Sequence, residues 1–216
     1  NTKLSNMKKG LLVAAASSII LMTGCEELQN LCGISADDLG FTEDYTHHLN
    51  AAIYVYQQTD RALRDADLET NGTAVIDGAN CTRTADSLIV DFGNGVVGAD
   101  GIARRGSYRV GLIGEYDTPG GKANLVLKDY YSEEDLYLGN FAIENVTPSG
   151  TTQPKYNIDV NSFALDTLEL NGNLSANWLV GYNTPSATDD DFELAGAATL
   201  ENTSSLDAYN GNISMP

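Results

Sequence analysis

The spacing of apolar residues changes once in this 216-residue chain, near Asn71, and that change limits what the chain can fold into. Between Thr42 and Leu68 the residues Leu49, Ala52, Ile53, Tyr56, Leu63 and Ala66 recur every three or four positions, which places them along one face of a helix. Thr42, followed by Glu43 and Asp44, has the chemistry of an N-cap with acids in the first turn. After Asn71 apolar residues alternate with polar ones: Leu88, Val90 and Phe92; Tyr108, Val110 and Leu112; Ala123, Leu125 and Leu127; Phe141 and Ile143; Tyr156, Ile158 and Val160. That is the period of strands with one covered face, and turn residues separate the runs. Asn171-Gly172, between Leu165–Leu170 and Leu174–Val180, has the composition of a two-residue hairpin turn. Trp178 shares a face with Leu174, Ala176 and Val180 and is read as core. A last pair of strands is expected from Phe192 onward.

The predicted fold is therefore mainly β, of α+β type: an antiparallel meander sheet or sandwich with one N-terminal amphipathic helix packed on it. The expected organisation is a helix over 42–70 and a β domain over 71–216. The loop from Thr147 to Lys155, with Pro148, Gly150 and Pro154, is the candidate subdivision of that domain.

The front of the chain carries an address. Met7 is followed by Lys8 and Lys9, an apolar run from Leu11 to Met22, and then Thr23 and Gly24 directly before Cys25. Those are the three parts of an export signal in order, and the apolar run falls short of the roughly 20 residues of a spanning helix. Met22-Thr23-Gly24-Cys25 resembles the bacterial lipobox, with cleavage between Gly24 and Cys25 and a diacylglyceryl lipid on the Cys25 thiol. Residues 1–24 are then removed and 25–41 form a tether. Acyl chains anchor stably because each buried methylene contributes about 0.8 kcal/mol. Glu26 and Glu27 look like acidic sorting signals of surface lipoproteins, so the expected location is the outer membrane, facing outward.

Loss of residues 1–24 removes Lys3, Lys8 and Lys9 and no acid, which takes the formal charge from −18 to −21. Such a field excludes nucleic acid as a partner. Besides Cys25 there are only Cys32, in the tether, and Cys81, read in a loop; an oxidising envelope allows them to pair. His47 and His48 are neighbours, about 100° apart on a helix, so they read as a solvent-facing pair and no metal site is expected. Asp91, Asn94 and Asp100 lie in a glycine-rich stretch whose Asn-Gly and Asp-Gly pairs read as turns and not as a calcium loop. No nucleophile elbow, phosphate loop or dinucleotide fingerprint occurs, and carboxylates are too numerous for sequence to single out an acid–base pair. The leading expectation is a non-catalytic structural or interaction module whose partner is an envelope protein or a glycan, with no cofactor beyond the lipid. Next comes a glycan- or ligand-binding module using Tyr130, Tyr131 and Tyr182 as stacking platforms. A carboxylate-dependent hydrolase stands third.

The series Asp91-Phe92-Gly93, Asp100-Gly101 and Arg104-Arg105-Gly106, continued by Gly114, Pro119-Gly120, Tyr130-Tyr131 and Gly139, resembles a group of small secreted lipoproteins of the Bacteroidota. The similarity covers most of the mature chain. It implies the lipoprotein address and a β fold, and carries no activity. Relatives have a cysteine near the position of Val96 able to pair with the counterpart of Cys81, so the resemblance implies a free thiol here. They also run on with further strands past the position of Pro216, which implies an incomplete C-terminus. Asp86-Ser87-Leu88 and Asp166-Thr167-Leu168 look like O-glycan acceptors of that phylum at Ser87 and Thr167, both in predicted strands.

Overall fold

The structure, a computed structural model, describes residues 36–182, 190–205 and 207–215. The signal, Cys25 and Cys32 lie outside these residues. The chain divides into two compact units, residues 1–44 and 45–216. Of the first, the structure describes only the leading turns of helix α1 (Ala36–Arg64). The second holds the rest of α1, a short helix α2 (Ala66–Asn71) and ten strands. These are β1 (Thr73–Ile76), β2 (Ala79–Arg83), β3 (Ser87–Val97), β4 (Ala103–Ile113), β5 (Lys122–Ser132), β6 (Asp135–Asn145), β7 (Lys155–Leu165), β8 (Leu168–Val180), β9 (Asp191–Asn202) and β10 (Ala208–Met215).

Each strand pairs antiparallel with the next, giving one open sheet in sequence order from β1 to β10 with a helix packed on it. The mainly β fold is as expected, and it is a meander, not a sandwich. β6 and β7, on either side of the 146–154 loop, pair directly, so the sheet continues across it. Among the described residues no helix is long and apolar enough to cross a membrane.

The helix is held differently from the expected amphipathic cover. From Ala51 to Arg64 no residue is exposed. Helix side chains reach strands across the whole sheet. Gln58 Nε2 donates to the Ile76 carbonyl of β1 at 2.8 Å, and the Thr59 and Tyr108 hydroxyls of α1 and β4 lie 3.1 Å apart. The His48 ring meets Tyr137 of β6 at 5.9 Å, that of Tyr56 meets Phe192 of β9 at 6.1 Å, and Tyr45 Oη donates to the Gly211 carbonyl of β10 at 3.4 Å. Laid flat, nine steps of about 4.8 Å would separate β1 from β10 by about 43 Å. Tyr45 and Gln58 are only roughly 20 Å apart along the helix axis. The sheet must therefore curl around the helix for both edge strands to touch it.

The curl has a visible cause. Register shifts occur in the β3–β4, β4–β5, β5–β6, β6–β7, β7–β8 and β8–β9 pairs, and each such bulge bends its strand and adds twist. Glycine lets the backbones close at two of them. A Cβ on Gly106 (φ 79°) would lie 1.9 Å from the Asp129 carbonyl oxygen, and one on Gly139 would lie 2.7 Å from that of Ser162.

Several local expectations are corrected. Helix α1 is already formed at Ala36, so Thr42 lies within it and is not its cap. The helical run breaks at Asp65, whose side chain accepts from Leu68 N at 2.7 Å and caps α2; the break turns Ala66 outward. Asn171-Gly172 is not a turn but lies inside β8: Asn171 Oδ1 accepts from Ser162 N at 2.8 Å in the β7 bulge, and a Cβ on Gly172 would meet that of Ala198 at 2.7 Å. The turn is Asp166-Thr167, with Asp166 at φ 53°, so Thr167 is an exposed turn residue and not a strand residue. Ser87 opens β3, half-buried, its hydroxyl 2.7 Å from that of Thr84. Trp178 is core, but Val180 faces out because the register shifts between them. Cys81 is a buried residue of β2, not of a loop, and is a free thiol that burial pushes up to about 11. His48 is buried, and only His47 faces solvent, 3.5 Å from Asp135.

The Gly106 contact gives a direct expectation. Gly106→Ala should cost well over the ~1 kcal/mol expected from backbone strain alone at Gly101→Ala, where nothing lies within 4 Å of the added Cβ. Urea denaturation of both variants checks the ordering, and equal losses would contradict it.

Candidate functional site

An enclosed helix carrying Gln58, Thr59, Asp60 and Arg64 must find partners for its polar groups inside the sheet, because an unpaired buried charge costs several kcal/mol. At the C-terminal end of α1 those partners form a cluster of ionisable and aromatic side chains. Arg64 lies at its centre. Its Nε donates to Asp60 Oδ2 at 2.8 Å, one terminal nitrogen donates to the Tyr182 carbonyl at 3.0 Å, and the other donates to Asp190 Oδ2 at 3.1 Å. The guanidinium also sits over the Trp178 ring, 4.3 Å from its centroid, and 5.0 Å from that of Tyr182. Tyr116, in the β4–β5 loop, donates to Asp60 Oδ1 at 2.8 Å. Its ring stacks on Tyr156 at 4.8 Å, and the Tyr156 and Tyr182 hydroxyls are hydrogen-bonded.

The electrostatics follow from burial. The Asp60 side chain is 2% exposed, and loss of water raises its pKa despite the opposing pull of Arg64 and the Tyr116 hydrogen bond. The Arg64 and Asp190 side chains are about as hidden, at 10% and 9%. Tyr182, half-buried, is pushed up to about 12, first by burial. Tyr56 Oη and Trp178 Nε1 face each other in this cluster, and among the described residues Asp190 Oδ1 has no hydrogen-bond partner. They border a cavity of about 70 Å³ between Tyr56, Asp60, Trp178, Asp190 and Phe192, a volume that accommodates ordered water. Both buried carboxylates are engaged by one guanidinium, which ties α1 to the segment that leads into β9.

A second lock lies at the opposite end. Arg104, 3% exposed, makes a forked ion pair with Asp100 at 2.9 and 2.6 Å, and its guanidinium is 3.2 Å from the centroid of Tyr54 on α1. Tyr54 donates to Asp77 Oδ2 at 2.7 Å, and Asp77 Oδ1 accepts from Ala99 N at 3.1 Å. The helix, the β1–β2 turn and the β3–β4 loop are thus tied together. The Asp-Gly and Arg-x-Gly series of the sequence falls here, with Asp100 and Arg104 forming the ion pair and Gly106 the close strand approach. Asp91 Oδ1 accepts from Gly93 N at 2.8 Å, which is turn chemistry. Among the described residues no three metal-ligating side chains cluster.

The three tyrosines read as stacking platforms are not brought together. Tyr130 is a correction: it is fully buried against Phe92 and Tyr108, because the β5 bulge reverses the alternation after Leu127 and turns it inward. Tyr131 is half-buried on the outer face, with Arg105 stacked 3.3 Å from its centroid. Tyr182 is half-buried and borders an open groove of about 330 Å³ with Gln153, Pro154 and Trp178. Sequence reading missed Arg64, Asp60 and Arg104, and a charged residue at a position where the apolar period demands burial was the available signal. Comparison with protein-family models, characterised proteins and solved structures finds no match to this chain.

Arg64→Met should leave Asp60 buried without its counter-charge and cost about 3–5 kcal/mol in urea denaturation, part of it restored by adding Asp60→Asn. A neutral Arg64→Met would show the cluster to be incidental. For Asp100, the hydrogen bond from Arg104 holds the carboxyl below its usual range. Its contribution is therefore complete above the unfolded value of about 3.9 and is lost as pH falls through the lower folded value. The stability gap between the natural chain and Asp100→Asn should close over that acidic window, as followed by denaturation at stepped pH.

Proposed function

We propose that this chain is a lipid-anchored lipoprotein of the cell envelope, held at the outer membrane facing outward, which works without chemistry of its own as a structural or interaction module. The observation that carries this reading is Lys8-Lys9, the apolar run and Gly24 directly before Cys25. The kinship with small Bacteroidota lipoproteins, drawn from the Asp91, Asp100 and Arg104 series, belongs to the same proposal. Two structural observations favour a scaffold over a hydrolase. The buried carboxylates Asp60 and Asp190 both bind Arg64, and Asp100 binds Arg104, so these charges hold elements together. The exposed side chains of the sheet stand on a body braced from within by α1, which suits presentation of a fixed surface to a partner.

The test is chemical. Mass spectrometry of the protein from its native membrane should find acyl groups on Cys25 as the first residue, and Cys25→Ser should move the protein from the membrane fraction to the soluble fraction. An unmodified Cys25, or a variant that stays in the membrane, would overturn the proposal.

A further inference from the structure

The outward face of the last three strands carries uncharged amides. Strand register sets Asn171, Thr199 and Asn210 in one row across β8, β9 and β10, and Asn173, Ala197 and Asn212 in the next. Alternation points Gly172, Ala198 and Gly211, between these rows, toward the helix, and Ala198 is buried. Only backbone then floors the space between the rows. The result is an open trough of about 380 Å³ that runs across the strands. At about 4.8 Å per strand, its three-strand length is roughly 10 Å.

Two of the four amides of this trough, Asn173 and Asn212, are not explained by the fold. Asparagine is a poor strand former, so each one inside a strand works against the sheet unless a local hydrogen bond compensates. Asn171 has such a role, donating to Glu169 at 2.9 Å and accepting from Ser162 N, and Asn210 accepts from the Thr199 hydroxyl. Among the described residues no side-chain hydrogen bond is made by Asn173 or Asn212. Rule-breaking residues that stabilise nothing are where a binding role is expected.

We propose that this trough binds a neutral, hydroxyl-rich chain, a polysaccharide lying across β8, β9 and β10, and this rests on the reading of the protein as an interaction module. A carboxamide both donates and accepts without charge, which matches a hydroxyl that does the same. The small side chains of Ala197 and Thr199 leave room for a ring to approach the floor. Charge selects the ligand class: Glu169 and Glu201 form the next row on one side, and Asp159 pairs with Asn173 on the β7 flank. Those carboxylates, in a chain of formal charge −18, repel acidic polymers. With no aromatic ring in the trough, recognition proceeds through hydrogen bonds and not through stacking.

The experiment applies the full chain, and an Asn173→Ala/Asn212→Ala variant, to an array of neutral and acidic oligosaccharides. Both side chains face solvent, so the variant should keep the parent's unfolding midpoint. Signal is expected on neutral members, falling at least tenfold in the variant. Absence of signal, signal confined to acidic members, or equal signal from both proteins would overturn the proposal. A variant with a lowered midpoint is replaced by Asn173→Gln/Asn212→Gln, which keeps the amides but displaces them and should weaken the same signals. The fractionation of Cys25→Ser does not involve this face, so failure on the array and failure of the lipid-anchor reading are separate results.

Discussion

A polar helix enclosed by a sheet obeys a strict condition: each charged or hydrogen-bonding group it carries inward must meet a partner supplied by the surrounding strands. Helix α1 meets that condition along much of its buried length. Tyr54 reaches Asp77, Gln58 the Ile76 carbonyl, Thr59 the Tyr108 hydroxyl, and Asp60 both Tyr116 and Arg64. Apart from Arg64, these partners lie on β1, on β4, in the β1–β2 turn and in the β4–β5 loop, so the polar groups of one helix determine where several distant segments sit. Apolar contact supplies the bulk of the driving force through inward residues such as Leu88, Val110, Leu125, Ile143 and Ile158. Hydrophobic contact has no direction of its own, and the hydrogen-bonded groups supply the directional part.

The sheet had to bend to make this possible. A row of bulges runs from β3 to β8, and at Gly106 and Gly139 backbones approach so closely that no side chain fits. Curvature built into strands this way lets one sheet play the part that two packed sheets play in a sandwich. The aromatic rings inside, such as Tyr137 stacked on Phe163 at 4.8 Å and Tyr108 edge-on to Tyr130 at 5.8 Å, fill the space between curved wall and helix.

What the sequence discloses and what it hides follow from the range of the interactions. Alternation in β3, β5 and β7 is local and legible, and it correctly placed Phe92, Leu125 and Ile158 inside. Bulges break the alternation without local warning. Extended past Leu127, it would put Asp129 and Tyr131 inside and Tyr130 outside, the reverse of what is found, and the charge on Asp129 was the hint of a slip. Asn171-Gly172 misleads in the same way: its turn chemistry is real, but packing of Gly172 against Ala198 keeps the strand straight through it. The helix was legible as a helix. Its enclosure was not, since Gln58 resembles a solvent-facing residue, and the charges of Asp60 and Arg64 on the apolar face have no visible reason until their partners, up to 126 residues away in the chain, are known.

The position of α1 also determines how the body bears mechanical load. The second unit begins at Tyr45, partway along a helix whose remaining turns are gripped by β1, β4, β6, β9 and β10 together. A pull applied to this part of the helix along its axis is shared at once among those contacts. A strand tugged from the edge of a sheet yields its hydrogen bonds one after another, like a zip, whereas a gripped rod must shear all of its fastenings together.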